Sequence, residues 1–128
     1  MKASPSAQPP SFSSSEFRAA LGTFATGVTI VTARTAQGVL VGLTANSFNS
    51  VSLSPPLVLW SLARAAGSMA VFSTGSHYAI NVLAADQKDL AERFAAKGAD
   101  RFSGVGFDIG AGGAPLLHGA AATFECFN

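Results

Sequence analysis

Short runs of branched and aromatic residues, each broken off by Gly, Pro or a polar cluster, recur along the chain and restrict it to folds built from many short strands. Residues 28–35, VTIVTART, alternate apolar and hydroxyl side chains at period two and read as a strand. Ala36-Gln37-Gly38 is a hairpin turn, and residues 39–45, VLVGLTA, form the antiparallel return strand, with Gly42 a bulge or a point of close approach. Pro55-Pro56 can stand only before a strand or on its edge, so residues 57–62, LVLWSL, read as a third, buried strand. Residues 77–84, HYAINVLA, add another, and PLLHGAAATFECF from Pro115 onward is strand material to the last residues.

Helices punctuate this pattern. Ser13 and Glu16 have the spacing of a capping box, and Phe17, Ala20, Leu21 and Phe24 follow on one helical face before Gly22 and Gly27 close it. Residues 67–74 carry Met69, Ala70, Phe72 and Ser73 at helical spacing. Residues 86–98, DQKDLAERFAAKG, predict a helix with Asp86 at the cap, Leu90, Ala91 and Phe94 on one face and Gly98 at the stop. Residues 101–113 hold too much glycine for a regular element. Strands joined by turns, with a few helices outside, predict a mainly β fold, an antiparallel barrel rather than a doubly wound sheet.

The Pro- and Ser-rich residues 1–12 read as a disordered leader without the apolar middle of a signal peptide, and residues 13–128 as one domain. Apolar residues make up 48% of the chain and charged residues 12%, which favours association with another copy. A net charge of +1 with no basic stripe argues against nucleic acid as a partner. No apolar run reaches the roughly 18 residues of a membrane helix. The lone Cys126 excludes an intrachain disulfide and suits a reducing cytoplasm.

The segment with the most chemistry is residues 44–52, TANSFNSVS, which places hydroxyls, amides and free backbone N–H groups just after a strand. It reads either as a solvated surface loop or as a cradle for a phosphate and the edge of a flat ring, since neutral donors can hold a phosphate without lysine. Phe48 and Val51 within it favour packing against something. Arg101 is open to two readings, an anion ligand or the salt-bridge partner of neighbouring Asp100. His77 and His118 lack a paired carboxylate or Cys at useful spacing, Trp60 reads as core, and GVGFDIGAGG (residues 104–113) reads as a flexible loop rather than a dinucleotide fingerprint.

GVTIVTA, GLTANSFNSVSLSPPLVLWSL, INVLAADQKDLAERFA and the RF that follows, in this order, resemble the flavin reductase family, whose members supply reduced flavin to two-component monooxygenases. The resemblance implies an FMN-binding split barrel that forms a homodimer, uses NADH or NADPH to reduce FMN or FAD, and passes the product to an oxygenase component. Carried over by position, it implies that Thr29, Val31, Ala45, Asn46 and Ser47 border the isoalloxazine. Ser50, Ser52, Ser61, Arg64 and Ser68 then lie near the ribityl and phosphate, and Phe94, Arg101 and Phe102 cover another side. Family members continue past the strand that here reads AATFECFN, adding strands that close the barrel. Two other expectations stand beside this one, a flavin-binding module without turnover and an oxidase of the pyridoxamine phosphate type.

Overall fold

The structure, a computed structural model, describes residues 10–98 and 100–128. Most of the expected leader, residues 1–9, lies outside the described residues. Helix α1 (Ser14–Gly22) begins where its capping box dictates: the Glu16 N–H donates to Ser13 Oγ and the Ser13 N–H to Glu16 Oε1, both at 3.1 Å. The helix buries none of its residues, and Phe17, Leu21 and Phe24 stay 52%, 58% and 76% exposed. The apolar face read from the sequence is real but is not packed on the domain.

After α1 come β1 (Thr29–Arg34), β2 (Leu40–Ala45), β3 (Asn49–Ser52), β4 (Leu57–Leu59), α2 (Met69–Thr74) and β5 (His77–Val82). A 3-10 turn (Ala85–Gln87) runs into α3 (Lys88–Ala95), followed by β6 (Phe107–Ile109), β7 (Pro115–Leu117) and β8 (Ala122–Phe127). The main sheet has the order β2-β1-β5-β8, every neighbour antiparallel, while β3-β4 and β6-β7 form separate two-stranded ribbons. Among the described residues, no helix is long and apolar enough to cross a membrane.

Strand β1 is central and covered on both faces. Val31 and Ala33 point to one face, where they pack with Phe72 of α2 and Ile80 of β5, and Phe48, Val58, Trp60 and Leu62 lean against that cluster. Ile30 points to the other, where it meets Phe94 of α3 and Leu117 of β7. Period-two alternation here does not mark a wet face. Thr32 is wholly buried and donates to the Pro115 carbonyl at 2.6 Å, which satisfies its hydroxyl without water.

Several expectations are corrected. Residues 57–62 are not a buried strand: β4 covers only Leu57–Leu59, pairs with β3 alone, and leaves Leu57 and Leu59 about half exposed. The polar run before it contains β3, and the glycine-rich run contains β6, because pairing with β4 and with β7 satisfies backbone groups whatever the local composition. GVGFDIGAGG thus contains strand β6 and the turn that leads into β7. Asp86 is not the cap of α3; the Gln87 carboxamide accepts from the Ala84 N–H at 2.8 Å and donates to the His118 carbonyl at 2.8 Å. The β1–β2 register is unbroken, so Gly42 is a point of close approach and not a bulge.

Candidate functional site

Beyond the end of β2 the chain turns back, and Ser47 fastens the turn. Its Oγ accepts from the Ser61 N–H at 2.9 Å and donates to the Ser61 carbonyl at 3.2 Å, joining the segment after β2 to the segment after β4. Two stretches of GLTANSFNSVSLSPPLVLWSL are therefore held side by side. Asn46, Ser50, Ser61 and Arg64 are exposed around this clasp, Ala45 and Ser52 are half-buried, and Arg64 makes no ion pair among the described residues.

A second group gathers on the outer side of β2. Ser68, at the start of α2, and Arg101 and Phe102, after α3, share with Gly42 a cleft of about 270 Å³. That is slightly below the size range usual for a small-molecule pocket. Arg101 does not pair with Asp100. Its guanidinium donates to the Gly42 carbonyl at 2.7 Å and to the Ala96 carbonyl at 2.9 Å, while the Asp100 carboxylate accepts from the Ser103 N–H at 3.1 Å. The surface ion pair with Asp100 does not form, and the two carbonyl contacts were not read from the sequence.

Thr29, Val31 and Phe94 are at most 1% exposed. The Thr29 hydroxyl is spent on the Ala45 carbonyl at 2.7 Å, Val31 lies in one core cluster and Phe94 in the other. None of the three is exposed, because β1 has elements packed over both faces. His118 does have a carboxylate partner, Asp108, at 3.0 Å, brought to it by the β6–β7 pairing. Trp60 is partly buried and packs against the core, edge-on to Phe72 with ring centroids 5.1 Å apart.

Sequence reasoning passed over Asn81, whose side chain is wholly buried and fully bonded. It donates to the Ile30 carbonyl at 2.9 Å and to Thr32 Oγ1 at 3.1 Å, and accepts from the Leu117 N–H at 2.9 Å. One signal was present, an amide interrupting the apolar run of INVLA. It was legible as an anomaly but not as a pin between β1, β5 and β7.

The profile of the flavin reductase like domain matches residues 21–127. The chain belongs to the flavin reductase family. The FMN reductase (NADH) SmoA of Agrobacterium fabrum is 50% identical over 113 residues, 88% of this chain and 64% of that protein. The reductase component of a flavin-dependent trigonelline monooxygenase from Acinetobacter baylyi is 44% identical over 111 residues, 87% of this chain and 36% of that protein. The solved NADH:FAD oxidoreductase of Streptomyces globisporus, in complex with NAD and FAD fragments, superposes with a TM-score of 0.83 at 41% identity, over 88% of this chain and 68% of that one. This member of the flavin reductase family thus spans from 36% to 64% of the length of these two curated relatives. Its mostly antiparallel sheets with a few helices are the split barrel of the family.

Opposite each other on β5 and β8, Tyr78 and Cys126 carry the altered acidities of this side of the sheet. Burial raises the Cys126 thiol, and burial followed by the neighbouring Cys126 raises the Tyr78 hydroxyl. A group whose acidity is weakened by folding stabilises the fold while neutral, and that stabilisation is lost as pH climbs from the ordinary value toward the raised one. Thermal stability is therefore expected to fall as pH rises above about 8.5, where a free thiol begins to ionise. Cys126→Ala should flatten the first part of that decline in a melting series; an unchanged slope contradicts the assignment.

Proposed function

We propose that the chain carries the flavin-binding part of an NAD(P)H:flavin oxidoreductase that supplies reduced FMN or FAD to a partner monooxygenase. The observation that carries the reading is the Ser47–Ser61 clasp, which joins two segments bearing exposed hydroxyls and the exposed Arg64 guanidinium, without an ion pair among the described residues. Such a donor set fits a phosphate, because hydroxyls and backbone N–H groups supply hydrogen bonds and Arg64 supplies charge. We assign Ser50, Ser52, Ser61, Arg64 and Ser68 to the ribityl and phosphate, and Ala45, Asn46 and Ser47 to the ring edge.

When bound, the flavin supplies the acceptor for a hydride from reduced nicotinamide. The chain's own residues position and bind it, and no covalent nucleophile is needed. Backbone N–H groups at Asn46 and Ser47 are suited to hold negative charge on the pyrimidine edge, and the core beneath, with Thr29 and Val31, keeps that loop in place. Similarity to a protein named for NADH-dependent FMN reduction and to a monooxygenase reductase component supports both the reaction and the oxygenase partner. The 270 Å³ cleft is small for a flavin, and Val51, Leu53, Leu57 and Leu59 of the β3–β4 ribbon are exposed. Both features support a homodimer, which sedimentation velocity measures directly. We place the protein in the cytoplasm on its single free cysteine.

Steady-state oxidation of NADH and NADPH, each with FMN and FAD, tests the reading. Oxidation that requires added flavin is expected; a chain that holds flavin without oxidising either nucleotide is a binding module instead. Asn46→Leu, at an exposed position, is expected to weaken flavin binding about tenfold, the equivalent of a lost hydrogen bond. Unchanged affinity in a fluorescence titration removes Asn46 from the site.

A further inference from the structure

We infer that Arg101 is a positioning residue that latches the segment after α3 onto β2, and not a ligand of the flavin phosphate. The inference rests on the flavin reading for its ligand measurement but not for its structural one. Two of the guanidinium's donors are already spent, on the Gly42 carbonyl in the middle of β2 and on the Ala96 carbonyl at the end of α3. The second contact also places a cation at the negative end of the helix, which favours it further.

The neighbouring residue completes the latch. The Phe102 ring lies so close over Gly42 that a Cβ there would come within 3.1 Å of the ring. Phe102 is held from its other side by Phe94, edge-on with centroids 4.9 Å apart, and by Phe107, at 5.7 Å. Two residues farther along the same face of β2, Thr44 donates to the Ala91 carbonyl of α3 at 2.6 Å. Helix α3 and the segment after it are therefore tied to β2 at consecutive positions on one face, immediately before the strand runs into Asn46 and Ser47. A shift of this segment is passed to the loop through β2.

FMN and riboflavin separate a latch from a phosphate ligand, because riboflavin lacks the phosphate. In Arg101→Gln, the dissociation constants of both are expected to rise by the same factor, about tenfold, as for coupling from a residue outside the ligand contact. Arg101→Lys, which offers one compact cation for two carbonyls, should fall between it and the parent. Loss confined to FMN overturns the inference and makes Arg101 a phosphate ligand. Amide hydrogen exchange without flavin is the second measurement: residues 42–47 and 100–107 should exchange faster in Arg101→Gln while β1 and β5 keep their protection. Unchanged exchange, or a uniform rise across the sheet, overturns the latch. A parent chain that binds neither flavin refutes the proposed function and leaves exchange to decide the latch.

Discussion

Asn81→Leu is expected to lower the unfolding free energy by about 3 to 5 kcal/mol, a large share of the total for a domain of this size. The substitution removes three hydrogen bonds at once and leaves the Leu117 N–H buried without a partner, whereas the Ile30 carbonyl keeps its place in the β1–β5 ladder. Thr32 Oγ1 keeps its bond to Pro115, so the loss is concentrated at the Leu117 N–H. Leucine keeps the branching of asparagine but is larger, so no cavity forms and some overpacking adds to the lost polar satisfaction. Urea denaturation followed by far-ultraviolet circular dichroism measures the change. A loss under about 1 kcal/mol would show that the network is replaceable by packing, as some buried polar groups are.

Phe94→Ala should cost a similar amount for a different reason. Phe94 is wholly buried between Ile30, Leu117 and the Phe102 ring, and truncating a buried phenylalanine costs about 3 to 5 kcal/mol through lost contacts and a residual cavity. Phe94→Leu retains most of the volume and is expected to cost under about 2 kcal/mol. The ratio between the two variants, read from denaturation midpoints at equal slopes, checks the cavity argument. Equal losses would mean that ring geometry against Phe102 matters more than volume.

Much of the architecture was legible along the chain. The capping box of Ser13 and Glu16 and the β1–β2 hairpin about Gly38 depend on residues close together in sequence and occur where the local signals put them, while the helix carrying Phe94 forms inside its expected span but runs only from Lys88 to Ala95. Gly38 has a φ of 84°, a conformation that glycine adopts without penalty, which is why the turn falls there. The family resemblance was equally legible, because GLTANSFNSVSLSPPLVLWSL is long and ordered.

Other features were not. LVLWSL has the composition of a core strand, yet Leu57 and Leu59 are about half exposed, since burial depends on what lies over a strand and β4 pairs only with β3. Thr29 and Val31 were expected at a ligand and are buried, with the Thr29 hydroxyl bonded to the Ala45 carbonyl. His118 was read as lacking a carboxylate and has Asp108 at 3.0 Å. Arg101 was read against its sequence neighbour Asp100, whereas its strongest partner is the Gly42 carbonyl, 59 positions away.

The sequence by itself determined the β1–β2 hairpin, the start of α1, the family and the segment that carries the candidate site. Tertiary structure alone decided which faces are dry, that Asn81 joins three strands, and that Arg101 bonds the Gly42 and Ala96 carbonyls. The division has a physical cause. Periodicity, capping and turn chemistry act between residues within about four positions of each other. Burial and polar satisfaction are instead settled by partners such as Thr32 and Pro115, which lie 83 positions apart in the chain and 2.6 Å apart in the fold.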